Sequence, residues 1–568
     1  MKVVIVGGVA GGATAAARIR RLDEQAEIVV YERSGYISYA NCGLPYYIGG
    51  TIEYPEALTL QTPESFFSRF RVSMKVRHEV TAIHPDRKTV SVKNLETGEA
   101  FEEPYDKLIL SPGAKPTQPR LPGVGLEKLF TLRTVEDTFR IKDYIRRNRP
   151  GSAVLAGGGF IGLELAENLR KLGMEVAIVQ RPRQLMNPFD PDMAAFIHGE
   201  MRRNGVTLAL GHTVEGFADK DGGVDVLLKD EAPLHADMVV MAIGVTPDTA
   251  LAREAGLELG LKGSIVVNER METSVPDIYA VGDAVQVRHS VTGQDVLLSL
   301  AGPANKQGRI AADNICGGDS RYPGSQGSSV LKVFDMTAAA TGVSEANAKK
   351  AGLDTDAVVL SPMSHAGYYP GGKLMTMKVV FEKRTYRLLG AQIVGYEGVD
   401  KRIDVLATAI RAGLTALQLK DLDLAYAPPY SSAKDPVNMA GFMVENLARG
   451  IVKQFRLEDL QALPRDGSVT LLDVRTPEEY AQGRIDGFRS IPVDELRDRI
   501  GEIEQGKPVY VVCQSGLRSY IACRILAGYG YEAYNFSGGF RFYDAVVNDR
   551  RLTERASACG MDQYGQHT

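Results

Sequence analysis

A β-branched run, a glycine-rich turn and a helical stretch follow one another twice in this chain. That repeat constrains the fold more than any other feature. Val3–Val6 leads into GGVAGG and ATAAARIRRL, and a second β-run, Ala26–Tyr31, closes at Glu32. Ala153–Ala156 leads into GGGFIG and LELAENLRKLG, then Glu175–Val179. Strand, turn, helix and strand in that order form a βαβ unit, the building block of a parallel sheet covered by helices. Two such units predict an α/β chain with two Rossmann-like domains.

Glycines between strand and helix let the backbone approach a pyrophosphate, and the helix N-terminus offers free N–H groups and partial positive charge. Each turn is therefore expected to hold a dinucleotide. Gly157, Gly159 and Gly162 fit the fingerprint fully. Gly7, Gly8, Gly11 and Gly12 fit it loosely, because Val9 stands where the middle glycine belongs. The residue closing the next strand separates the ligands. Glu32, followed by Arg33, is an acid suited to a free ribose hydroxyl pair. Gln180 takes that place in the second unit, followed by Arg181 and Arg183. Arginines would pair with a 2′-phosphate that an acid would repel, so NADPH is expected to be accepted. Solvated loop arginines are the plainer alternative.

At ~150 residues per domain, 568 residues suggest roughly four domains. The expected division is a first dinucleotide domain over 1–112 and 245–325, and a second over 113–244. An α+β domain over 326–446, a compact α/β domain over 455–548 and a loose polar tail over 549–568 complete it. YDKLILSPGAKP, with Ser111 and Gly113, reads as a buried strand entering a turn, and TSVPDIYAVGDA as a strand ending at Gly282 and Asp283. Charge is nearly balanced, 66 basic against 70 acidic residues, so nothing argues for nucleic acid. No apolar run approaches the ~20 residues of a membrane helix, and MKVVIVGG is too short for a signal peptide. The five cysteines are widely spaced, without CxxC or Cys/His metal spacing. Neither a disulfide framework nor a metal site is expected, and the pattern suits a reducing cytoplasm.

Two cysteines carry chemistry. Cys42, in ISYANCGLPYYIGG, has no second cysteine four or five residues away. It must therefore cycle through a mixed disulfide, a sulfenic acid or a persulfide. As the useful species is the thiolate, a lowered pKa is expected. Cys513 ends a β-branched run in PVYVVCQSGLRS, five residues before Arg518. That spacing predicts a tight loop whose N–H groups and arginine surround a sulfur atom. Cys523 reads as packing, and Cys316 and Cys559 have no supporting chemistry around them.

The order of first turn, SPGA, second turn, AIG and YAVGD resembles the two-dinucleotide-binding flavoprotein reductases. The resemblance implies FAD on the first turn, NAD(P)H on the second and Asp283 on the ribityl chain. NCGLPYYIGG, VGGVAGG and LAYAPPYSSAKDPVN narrow it to the coenzyme A-disulfide reductase family. Within that family the nearest branch is the rhodanese-fused one, which includes CoA-persulfide and polysulfide reductases. LLDVRTPEEY and the Cys513 loop are similar to single-domain rhodaneses. The resemblance implies a homodimer in which two tyrosines, matching Tyr368 and Tyr426, cross to the partner's redox cysteine. Tyr369 and Tyr430 are close rivals. It also implies that Arg18, Arg21 and Arg71 bind the phosphates of coenzyme A, with Ser38, Asn41 and Gln61 lining the entry. Two other readings stay open: an NADH oxidase or peroxidase, and a flavin-dependent redox sensor or sulfur-relay partner. Those peroxide enzymes carry a turn histidine where this chain has Ala10.

Overall fold

A computed structural model describes the backbone of residues 1–559 and the side chains through 554. The chain divides into two compact units. The first comprises Met1–Arg181, Gly205–Thr207 and Gly211–Ser325; the second comprises Pro182–Asn204, Leu208–Leu210 and the described residues from Gln326 on.

In the first unit, the β-branched Lys2–Val6 strand sits between Glu27–Glu32 and Lys107–Leu110, parallel to both. Ser73–Val76 and Ile278–Ala280 complete a five-stranded sheet. Its Val and Ile side chains are almost wholly buried, as expected for a parallel sheet covered on both faces. The last strand arrives from 170 residues downstream of its neighbour, Ile278 pairing with Leu108. The second βαβ unit repeats the pattern: Ser152–Ala156 pairs in parallel with Glu175–Gln180 and with Met238–Met241.

The second unit holds a five-stranded antiparallel sheet, running from Ser329–Val333 to Thr355–Leu360 at its edges. It also holds a five-stranded parallel sheet built around Val509–Val512. The expected loose tail is corrected in its first part. Residues 549–559 continue the Gly539–Cys559 helix, and Asp549 pairs with Arg202 and with His198 at 2.9 Å. Asp549 and Thr553 lie on one face of a docked helix, both bonded to Arg202. Residues 560–568 and the Cys559 side chain lie outside those described. Among the described residues no helix is long and apolar enough to cross a membrane.

Candidate functional site

The first turn is built for a close backbone approach. Gly7 has φ +97°, and a Cβ there would stand 2.1 Å from the Ser111 carbonyl oxygen. A Cβ on Gly12 would stand 1.9 Å from the Gly7 oxygen, and one on Gly11 would press the Val281 side chain at 2.9 Å. Glu32 is buried, and its two oxygens accept the N–H groups of Gly8 and Ser34, both at 2.9 Å. A cavity of about 290 Å³ opens beside Gly7, Glu32, Arg33, Val80 and Pro112. Arg33 pairs with Asp248 at 2.7 Å, a fixed edge to that cavity. Gly113 and Gly282 both take positive φ. Asp283 is held by Arg133 at 2.6 Å, a partner nothing local in the sequence marks. The cradle and its cavity fit the nucleotide end of FAD.

The second turn uses the same joint. Gly157 has φ +122°, and a Cβ on Gly162 would stand 2.1 Å from the Gly157 oxygen. Gly159, at the N-cap of the Phe160–Lys171 helix, faces open space. Gln180 accepts the Gly158 N–H at 3.0 Å, the bond Glu32 makes to Gly8, but without the charge. Arg181 is exposed beside it.

Cys42 lies in the Asn41–Gly43 turn that opens the Leu44–Ile48 helix. That helix is clamped from two sides. The Lys142 ammonium donates to the Tyr47 carbonyl at 2.6 Å and covers the Tyr47 ring. Gly49 lies so close to Asn168 that a Cβ would meet its amide oxygen at 2.2 Å. Tyr46 donates to Glu164 at 3.5 Å. Cys42 is exposed, yet the surrounding protein does not by itself supply the expected lowering: desolvation first, then the Glu164 carboxylate, push the thiol up, and Arg133 only partly opposes them. Glu164 itself is pushed up to about 7, chiefly by burial. Sequence reasoning missed Glu164. Its only signal is its place two residues after Gly162 on the turn helix.

Arg18 and Arg21 line a cavity of about 260 Å³ together with Thr14, Asn305, Lys306 and Arg309. The last three come from the Ala301–Ile315 helix and were missed, because nothing local joins them to the first helix. Arg18 is also tied to Asp313 at 2.7 Å. Arg71 is not among the lining residues; it ends the Pro63–Phe70 helix at φ +50°, over the Phe67 ring. Ser38, at φ +44°, donates its N–H to the Gly8 carbonyl, Asn41 begins the cysteine turn, and Gln61 accepts from Ser65.

In the second unit the Tyr368 and Tyr426 hydroxyls are 2.9 Å apart, and both rings are exposed. Hydrogen bonding to Tyr368 pushes the Tyr426 phenol up. Tyr369 packs edge-on against His365, and Tyr430 stands exposed without joining the pair.

Cys513 is fully buried at the end of Val509–Val512. Its sulfur accepts the Gly516 N–H at 3.1 Å and the Ser519 hydroxyl at 3.2 Å. Gly516 takes φ +97°, which a side chain would resist. Arg518 lies close enough to Cys513 for their charges to couple, and both its amino groups are taken, each 2.7 Å from Glu479. Arg475 is buried on Asp473, with the Phe540 ring on its face. Cys523 is buried in the following helix and pushed up by burial, and burial also raises half-buried Cys316. Such thiols react poorly.

A family model described as pyridine nucleotide-disulphide oxidoreductase matches residues 1–308. The dimerisation-domain model of that group matches 328–436, and a rhodanese-like domain model matches 456–545. Coenzyme A disulfide reductase of Staphylococcus aureus is 38% identical over 444 residues, covering 78% of this chain and 99% of that protein. The crystal structure of reduced Bacillus anthracis CoADR-RHD shares 48% identity, covers 97% of this chain and 98% of its own, and superposes with a TM-score of 0.94. A NAD-dependent persulfide reductase from A. fulgidus shares 38% identity over 96% of this chain and 100% of its own, with a TM-score of 0.90.

Proposed function

The chain belongs to the pyridine nucleotide-disulphide oxidoreductase family, and from that premise we propose that it reduces coenzyme A-borne sulfur at the expense of NAD(P)H. The substrate is CoA disulfide, CoA persulfide or polysulfide, and the fused rhodanese-like domain handles sulfane sulfur. The observation that carries this reading is one chain with two differently built cysteine sites. Cys42 stands alone beside nucleotide-binding machinery, and Cys513 sits in a loop whose N–H and O–H groups point at its sulfur.

On this reading residues 1–112 and 245–325 hold FAD, 113–244 hold NAD(P)H, 326–446 form the dimerisation region and 455–548 the sulfurtransferase. Gly7, Gly8, Gly11 and Gly12 seat the FAD pyrophosphate, with Glu32, Arg33, Ser111, Gly113, Gly282 and Asp283 around it. Gly157, Gly159, Gly162, Gln180 and Arg181 serve NAD(P)H. FAD held on the first turn would supply the two-electron link between NAD(P)H and sulfur.

The Cys42 thiolate attacks a CoA-bound sulfur, the S–S bond breaks, and CoA thiolate or hydrosulfide leaves with the bonding pair. The mixed disulfide or persulfide left on Cys42 then accepts the electron pair. In sum, NAD(P)H, one proton and CoA disulfide give NAD(P)+ and two CoA thiols; CoA persulfide gives one CoA thiol and hydrogen sulfide. Arg18 and Arg21, with Lys306 and Arg309, supply the cations that CoA phosphates require. Arg71, Ser38, Asn41 and Gln61 complete the proposed path. In a homodimer, the Tyr368–Tyr426 pair crosses the subunit boundary and delivers a proton to the departing thiolate.

The test is steady-state turnover of CoA disulfide, CoA persulfide and polysulfide, each with NADH and with NADPH. Cys42→Ser is expected to lower turnover of all three by about 10³-fold or more, the scale on which loss of a nucleophile acts. Full retention on both disulfide and polysulfide would sink the proposal. Rapid oxygen uptake without added disulfide would favour the oxidase reading instead.

A further inference from the structure

This inference rests on the sulfurtransferase reading of the Cys513 domain and concerns which sulfur donors it accepts. Beyond the Gly516 and Ser519 contacts, the Leu517–Gly528 helix begins at this loop. What an anionic donor meets depends on the arginines around it. Arg475 is 1% exposed and fully committed, to the Asp473 carboxylate and to the Glu479 and Gly483 carbonyls. Arg541 has Tyr396 and Arg203 as its electrostatic neighbours. Arg518 stands in the first turn of that helix, and its charge couples to Cys513. Its two amino groups lie on the two oxygens of Glu479, each at 2.7 Å. That planar fork is the arrangement arginine uses to hold small oxyanions. The protein has placed its own carboxylate where such an anion would sit.

We propose that Glu479 is a specificity-determining residue, occupying the Arg518 fork so that the Cys513 loop disfavours dianionic donors such as thiosulfate and favours thiol-borne persulfides.

The two half-reactions differ in what leaves. From thiosulfate, the Cys513 thiolate takes the outer sulfur, the S–S bond breaks, and sulfite departs with the bonding pair and two negative charges. From a persulfide R–S–SH, the thiolate takes the terminal sulfur and RS⁻ departs with the pair, then collects the proton from the new Cys513 persulfide. Both steps end with Cys513 carrying one sulfane sulfur, and neither needs an outside oxidant or reductant. Only the first must place a dianion beside the Glu479 carboxylate, and like charges juxtaposed at an interface are strongly disfavoured.

Glu479 also caps the Pro477–Gln482 helix. It accepts the Thr476 N–H at 3.0 Å and donates its own N–H to the Thr476 hydroxyl. A glutamine keeps one oxygen for that cap, loses the charge, and turns the other acceptor into an amide donor that cannot hold the Arg518 fork. Glu479→Gln therefore frees Arg518 without undoing the local fold.

The experiment uses the full-length FAD-loaded protein and follows thiocyanate formation from thiosulfate and from pantetheine persulfide, a donor whose body is uncharged. The variants are Glu479→Gln and the double variant Glu479→Gln/Arg518→Gln. Glu479→Gln is expected to raise the thiosulfate-to-persulfide ratio of kcat/KM by about tenfold, the scale of one charged contact, mainly through the KM for thiosulfate. The double variant is expected to return the ratio to wild type or below. An unchanged ratio in Glu479→Gln, or a gain that survives loss of Arg518, overturns the proposal. Wild-type protein that forms thiocyanate from neither donor overturns the sulfurtransferase reading instead.

Discussion

Glu164 shows how one carboxyl, invisible to motif reasoning, adds to the desolvation that raises Cys42. Tyr46, on the helix that follows Cys42, hydrogen-bonds it, and Glu167 faces it on its own helix. Cys42 in turn is faced by Glu164 and Asp283, which raise it, and by Arg133, which lowers it. Replacing Glu164 by Gln removes the carboxylate that raises Cys42 most. Alkylation of Cys42 in the reduced protein at pH 8 is then expected to run about threefold faster, because the thiolate is the reacting species. The stability effect has a definite sign. Burial raises the Glu164 carboxyl from an ordinary 4.5 to about 7, so its contribution is fully present below pH 4.5. It is lost as pH rises through 7, a deficit on the order of 3 kcal/mol. Glu164→Gln should therefore melt above wild type at pH 8, with the gap closing towards pH 4.5. A gap that stays constant across this range contradicts the assignment.

At the scale of elements, the two turns use one joint twice. The helix glycine lies against the carbonyl of the turn's first glycine, with Cβ clearances of 1.9 Å at Gly12 and 2.1 Å at Gly162. An alanine at either site pushes helix from strand, a backbone collision that side-chain repacking cannot relieve. Gly12→Ala should emerge without flavin, measured by visible absorbance after desalting. Gly162→Ala should keep its flavin while its KM for NAD(P)H rises about tenfold or more, on the scale of one misplaced phosphate contact. If both variants lose flavin, the division of labour between the turns is wrong. These joints were legible because strand, turn and helix are contiguous. The expected loose tail at 549 was not: a polar stretch reads as solvated until a partner such as Arg202 is brought against it.

At the scale of the molecule, the second unit is held by a buried charge cluster. Lys378 is 2% exposed, with Asp192 at 2.8 Å and both Asp190 and Glu345 at 3.1 Å. Burial alone would lower this lysine, but the three carboxylates together hold it raised. Arg456, the first residue of the rhodanese-like segment, forks onto Glu345. Removing one partner of such a cluster typically costs about 3–5 kcal/mol. Lys378→Met should lower the melting temperature sharply. Arg456→Ala should split the calorimetric transition, with the rhodanese-like segment melting separately. A single unshifted transition in both variants contradicts this account.

The residues alone determined both glycine turns, the isolation of Cys42 and the loop that carries Cys513. Each is a local object, spelled out within one strand, turn and helix whose geometry follows from backbone sterics. Tertiary structure decided the electrostatics. It put Glu164 near Cys42, joined Lys306 and Arg309 to Arg18 and Arg21, and gave the Arg518 fork to Glu479. Cys42 and Glu164 are more than a hundred residues apart in the chain, and no periodicity links them. The field at a site depends on distance through space, and only the packed fold supplies that distance.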